Sequence, residues 1–150
     1  MCAHSQHDGE GIWRARGRYE WLCSLFEAPS FEIGKGDGDR IRDHLDRQLT
    51  GAGWAIGARI DNMSNLTITA RGNDLGFQVQ TGNMSRGAYD FLKLQHMYLS
   101  GAIEAAALAL PTKSASRVLG DNIANGDRFW KEAQLFKRQL TVPLVLVELE

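Results

Sequence analysis

The sequence predicts an α/β fold, a mixed central β-sheet flanked by helices, and three observations carry that expectation. Residues 66–71 and 75–81 alternate apolar and polar side chains on either side of Gly72-Asn73-Asp74, the pattern of a β-hairpin. Residues 102–110 form a continuous apolar run stopped by Pro111, as expected of a strand buried on both faces. Between them, residues 86–100 show helical spacing, so the hairpin leads through a helix into a buried strand.

The remaining elements follow in order. Tyr19, Leu22, Cys23 and Phe26 repeat at helical intervals, which predicts a helix over 13–27 ended by Ala28-Pro29-Ser30. Gly34-Lys35-Gly36-Asp37-Gly38 is a loop without the spacing of a phosphate-binding motif. Asp39 is placed to cap a helix over 40–49, with Ile41, Leu45 and Leu49 on one stripe. Residues 54–60 read as a strand. Ser85 is the expected cap of the 86–100 helix, whose apolar stripe is Ala88, Phe91, Leu92 and Leu99, with Leu94 and Tyr98 beside it, and whose polar face is Arg86, Asp90 and Lys93. Helices over 113–119 and 126–139 precede a final apolar strand within 141–149, where Pro143 marks a start at a sheet edge or outside the ladder. The expected order is α-α-β-β-β-α-β-α-α-β.

At 150 residues the chain is read as one domain. Its 17 basic and 18 acidic residues give a net charge of −1, with no global attraction to nucleic acid, so DNA affinity requires local basic clusters. Arg14, Arg16 and Arg18 form one, and Lys131, Lys137 and Arg138 another; both read more simply as solvated helix faces. Cys2 and Cys23 are too few for a disulfide framework and are expected to be reduced. Residues 1–11 read as a disordered arm, with Cys2, His4 and His7 carried on it. The start lacks a signal-peptide pattern and no run of roughly 18 apolar residues occurs, so a cytoplasmic protein without a membrane span is expected.

Two stretches carry more specific information. Gln78–Asn83 reads QVQTGN; it runs into the helix holding Asp90 and Lys93, and then into Gly101-Ala102-Ile103-Glu104-Ala105-Ala106. The first resembles the E-V-Q-F-G-(K/N) strand end, and the last the G-x-I-D-x-G strand entry, of the BglII/BstYI group of type II restriction endonucleases. The resemblance spans residues 66–146. It implies a PD-(D/E)XK nuclease core, a homodimer, and Mg²⁺-dependent hydrolysis of double-stranded DNA at a short palindromic site.

That group's hairpin supplies an aspartate and a glutamate because Mg²⁺ is held by hard anionic oxygens, waters and the scissile phosphate. Carried across without gaps, Gln80 falls on the group's glutamine, Gln78 on its glutamate and Thr69 on its aspartate. Both acids are then absent. A longer hairpin would instead put Asp61 in the aspartate position as a metal ligand, while Asp74 and Glu104 are further acids near the motif. Arg86, Lys93 and Asn83 are the expected DNA contacts, and His96 has no evident partner. The readings that stand open are an Mg²⁺-dependent deoxyribonuclease, a pseudoenzyme that binds DNA or a protein partner, and a subunit unrelated to nucleic acid.

Overall fold

A computed structural model describes residues 1–27 and 32–150; the expected helix end at Ala28-Pro29-Ser30 lies outside them. Six strands form one sheet in the order β1-β6-β5-β4-β3-β2. They are β1 (Cys2–Gln6), β2 (Ala55–Ile56), β3 (Ala70–Gly72), β4 (Leu75–Val79), β5 (Ala105–Pro111) and β6 (Leu144–Leu149). β4, β5 and β6 run parallel, and the outer pairings are antiparallel, so the sheet is mixed as expected.

Every residue of β5 is buried, in keeping with its unbroken apolar run. Side chains alternate between two cores. Leu75, Phe77, Val79, Ala105, Ala107, Val145 and Val147 face one layer, where helices α1 (Gly9–Ala15), α2 (Tyr19–Ser24) and α3 (Gly38–Gly51) supply Trp13, Leu22, Ile41 and Leu45. Ala106, Leu108, Leu144 and Leu146 face the other, against α4 (Gly87–Leu99) and α6 (Gly126–Leu135), which bring Phe91, Leu94, Phe129 and Ala133. Helix α5 (Lys113–Leu119) has the expected bounds, with Thr112 capping it through a bond from the Ala115 N–H. Pro143 stays outside the ladder, and its carbonyl accepts from the Ala106 N–H.

Several expectations are corrected. The first helix is two, because Gly17 takes a left-handed conformation (φ 63°) after Arg16 closes α1. Helix α3 starts two residues earlier than expected, with Asp37 rather than Asp39 at its cap. The strand at 54–60 shrinks to the two residues of β2, with a bridge at Arg59–Thr67 beyond it. The cap ahead of α4 is Asn83, whose carboxamide oxygen accepts from the Ser85 N–H; Ser85 lies inside the short 3₁₀ turn that follows.

Helix α4 is also rotated from its expected setting. Phe91, Leu94, Met97 and Asp90 are buried, whereas Ala88, Leu92 and Leu99 face solvent. Gly87 fixes this rotation: a Cβ there would stand 1.6 Å from Phe129 Cζ, so helix and ring pack closely only without a side chain.

The first residues form no floppy arm. β1 pairs with β6 through backbone bonds that need no apolar pattern in its own sequence. Cys23 on α2 meets Cys2 on β1, and the two are joined in a disulfide rather than reduced. The bond closes a loop between cysteines 21 positions apart. Reduction with dithiothreitol is therefore expected to cost about 3 kcal/mol. A urea melt with and without reductant reads this, and an unchanged midpoint would place the thiols apart in solution.

Candidate functional site

Hairpin strand β4 turns Gln78 and Gln80 away from Phe77 and Val79, as alternation requires, but not into solvent. Both are buried beneath α4. There they meet Asp90, which is 3% exposed. Gln78 Nε2 donates to Asp90 Oδ1 at 3.0 Å, Gln80 Nε2 donates to Asp90 Oδ2, and Lys93 Nζ lies 2.8 Å from Oδ1. One carboxylate thus satisfies two amide groups and an ammonium, which a buried charge requires. The sequence placed Asp90 on the polar face of this helix with Arg86 and Lys93; it is buried instead, with the two glutamines and Lys93 as its partners.

The hairpin completes the network. Gln78 Oε1 accepts from the Thr69 N–H at 3.0 Å, and Thr69 Oγ1 accepts from the Val79 N–H at 3.0 Å. Thr69 Oγ1 stands 3.5 Å from Gln78 Oε1, so the two positions matched to the group's acids are neighbours. Gln80 Oε1 accepts from the Gly82 N–H, and Lys93 Nζ donates to the Thr67 carbonyl at 3.0 Å.

These groups form the floor of a cleft of about 780 Å³ between the hairpin, α3 and the start of α4. Thr69, Gln78, Gln80, Asp90 and Lys93 line it, as do three groups of the rim, Arg42, Asp46 and Arg86. Asp61 is not among its lining residues. Its carboxylate accepts from the Met63 N–H and lies 3.4 Å from His96 Nε2, which gives His96 the partner that the sequence left unnamed. Asp74 and Glu104 both pair with Arg16 and also stand outside the cleft. Asn83 serves as a cap and accepts from Asn122 Nδ2 at 3.3 Å.

A family model described as "Restriction endonuclease BglII/BglIII" matches residues 2–149. The chain belongs to this family. Two solved structures share the fold. A crystal structure of restriction endonuclease BglII complexed with a DNA 16-mer is 12% identical, with a TM-score of 0.81 over 98% of this chain and 76% of that one. A crystal structure of free BglII is 13% identical, with a TM-score of 0.68 over 98% and 77%. No curated protein sequence matches.

For a BglII/BglIII family member, Mg²⁺ is the cation to test against the residues present. Mg²⁺ dehydrates reluctantly and is usually held through one or two carboxylates. The cleft floor offers a hydroxyl, two amides and one carboxylate already taken by Gln78, Gln80 and Lys93, and the one other acid among the lining residues, Asp46, stands on α3 at the rim. Among the described residues, no group of three or more His, Cys, Asp or Glu side chains is placed to hold a metal. The donor set does not fit the ion.

Asp90 and Arg42 are the residues that sequence reasoning missed here. A signal for Asp90 existed. Two amides on one face of a buried strand need a partner, and the helix that follows carries a single carboxylate within reach. Arg42 carried none, because only the packing of α3 brings it to the rim.

Proposed function

We propose that residues 1–150 act as a single restriction-endonuclease-like domain that binds duplex DNA in the cleft beside α4 and leaves the phosphodiester intact. The observation that carries this reading is the Asp90 network. It fills the place of a metal cradle with neutral amides and an internal ion pair, while Arg42, Arg86 and Lys93 remain at the cleft. The DNA-bound state of the BglII neighbour supports a DNA ligand. The Cys2–Cys23 disulfide weighs against the cytoplasmic location expected with reduced thiols, and none of the helices described is long and apolar enough to cross a membrane.

Phosphate contacts release counterions, so with three cations at phosphates log affinity should fall with log salt at a slope of about −3. Gel shifts on a mixed-sequence duplex across a salt series read this, alongside plasmid nicking with Mg²⁺ and Mn²⁺. The expected outcome is salt-dependent binding and no nicking. Sustained nicking that Asp61→Ala abolishes would restore the family's Mg²⁺-dependent deoxyribonuclease activity. No shift at any salt would remove the DNA ligand.

The reading includes a homodimer, which the family resemblance implies. Leu92 and Leu99 stand 62% and 71% exposed on α4, with half-exposed Tyr89 beside them, on the helix that also carries Asp90 and Lys93. A second copy meeting along this stripe would cover apolar surface that the monomer leaves in water. Leu92→Glu combined with Leu99→Glu is expected to halve the mass measured by light scattering. A variant that keeps the parent mass would move the interface off α4.

A further inference from the structure

We infer that the Lys93 ammonium supplies, from within the chain, the positive charge that a divalent cation would bring to this cleft, so that DNA is held there without a metal ion. The inference rests on the DNA-binding reading above and specifies how the cleft meets a phosphate.

Lys93 is fixed rather than trailing in solvent. Its side chain is 13% exposed, with Nζ 2.8 Å from Asp90 Oδ1 and 3.0 Å from the Thr67 carbonyl oxygen. An ammonium has three donors, and these two contacts leave one for a ligand in the cleft that Lys93 lines. Asp90 is 3% exposed, with Oδ1 accepting from Gln78 and Lys93 and Oδ2 from Gln80, which leaves a metal ion at most one buried lone pair on Oδ2.

The charge of the lining supports the same conclusion. Arg42, Arg86 and Lys93 face Asp46 and Asp90, a balance that favours an anion. Acids at Thr69 and Gln78 would reverse it, and a phosphate would then approach only after a cation had entered. With a hydroxyl and an amide there, that barrier is absent and a phosphate can meet Lys93 directly. A divalent ion then has nothing to contribute at the protein and only competes for the DNA phosphates.

The test is fluorescence anisotropy of a labelled mixed-sequence duplex, titrated in EDTA and in excess Ca²⁺ at matched ionic strength. Ca²⁺ is used so that hydrolysis cannot obscure binding. The intact protein is expected to bind in EDTA, with Ca²⁺ leaving affinity unchanged or slightly weaker. Lys93→Gln should weaken binding about tenfold in EDTA and reduce the salt slope by about one, whereas Lys93→Arg keeps both. Binding that tightens tenfold or more with Ca²⁺ would overturn the inference and leave the DNA-binding reading in place. An absence of binding in both buffers would remove both.

Discussion

Asp90→Ala is expected to destabilise the protein by about 3–5 kcal/mol, because removing one partner of a buried ion pair leaves the other charge uncompensated. Lys93 would keep only the Thr67 carbonyl, and Nε2 of both Gln78 and Gln80 would lose its carboxylate acceptor under α4. Asp90→Asn should cost less: its oxygen can still accept from Gln78 and Lys93, while its NH₂ group is turned towards one existing donor, Gln80 Nε2. Asp90→Ala combined with Lys93→Met tests the cause, since replacing both partners with apolar groups removes the stranded charge and should recover much of the loss. Urea unfolding of the three variants measures these effects. A loss below about 1 kcal/mol for Asp90→Ala would fit a surface carboxylate, not the buried hub described above.

Thr69→Asp combined with Gln78→Glu is expected to create a divalent-cation site where none fits now. The two positions already touch, with the Thr69 N–H 3.0 Å and its Oγ1 3.5 Å from Gln78 Oε1, and Asp90 would stand beside them as a third carboxylate. In EDTA the crowded acids should repel, and the variant should melt below the parent. Mg²⁺ binds only the folded state, so at a hundredfold excess over its dissociation constant it should return about 2.7 kcal/mol. The parent should show no comparable shift. Thermal melts against a Mg²⁺ series make the comparison, and plasmid nicking shows whether restored ligands also restore hydrolysis. If Mg²⁺ fails to raise the melting temperature, Thr69 and Gln78 are not the family's acid positions. Gln78→Glu alone supplies one carboxylate and should give the smaller effect.

The parts of the fold legible in the sequence are those whose burial is continuous or strictly periodic. β5 declared itself through an apolar run, and α5 was read with the bounds it has, Lys113–Leu119. β1 was illegible because Cys-Ala-His-Ser-Gln has no periodicity to find; the strand exists through its backbone pairing with β6. The disulfide shared that obscurity, since only the placement of β1 beside α2 brings Cys2 to Cys23. Helix α4 was recognised but turned the wrong way. Hydropathy treats aspartate as solvent-facing, and here a buried set of amides and an ammonium outweighs that tendency. The same omission shaped the site. Gln78 and Thr69 stood out because they depart from the family pattern and Gln80 because it keeps to it, whereas Asp90 stayed hidden because its amide partners lie ten and twelve residues back along the chain.

The pairing of β1 with β6 also sets a schedule for synthesis. β1 is made before every other element described, yet its strand partner begins at Leu144. At ~5–20 residues per second, the ribosome keeps these two strands apart for roughly ten seconds. During that interval β1 has unpaired backbone groups, and its ties to the growing layer include the Cys2–Cys23 link to α2 and the bond from the Glu10 N–H of α1 to Ser5 Oγ. Early closure of the Cys2–Cys23 bond would hold the strand beside its future neighbour, turning a search across most of the chain into a short local one.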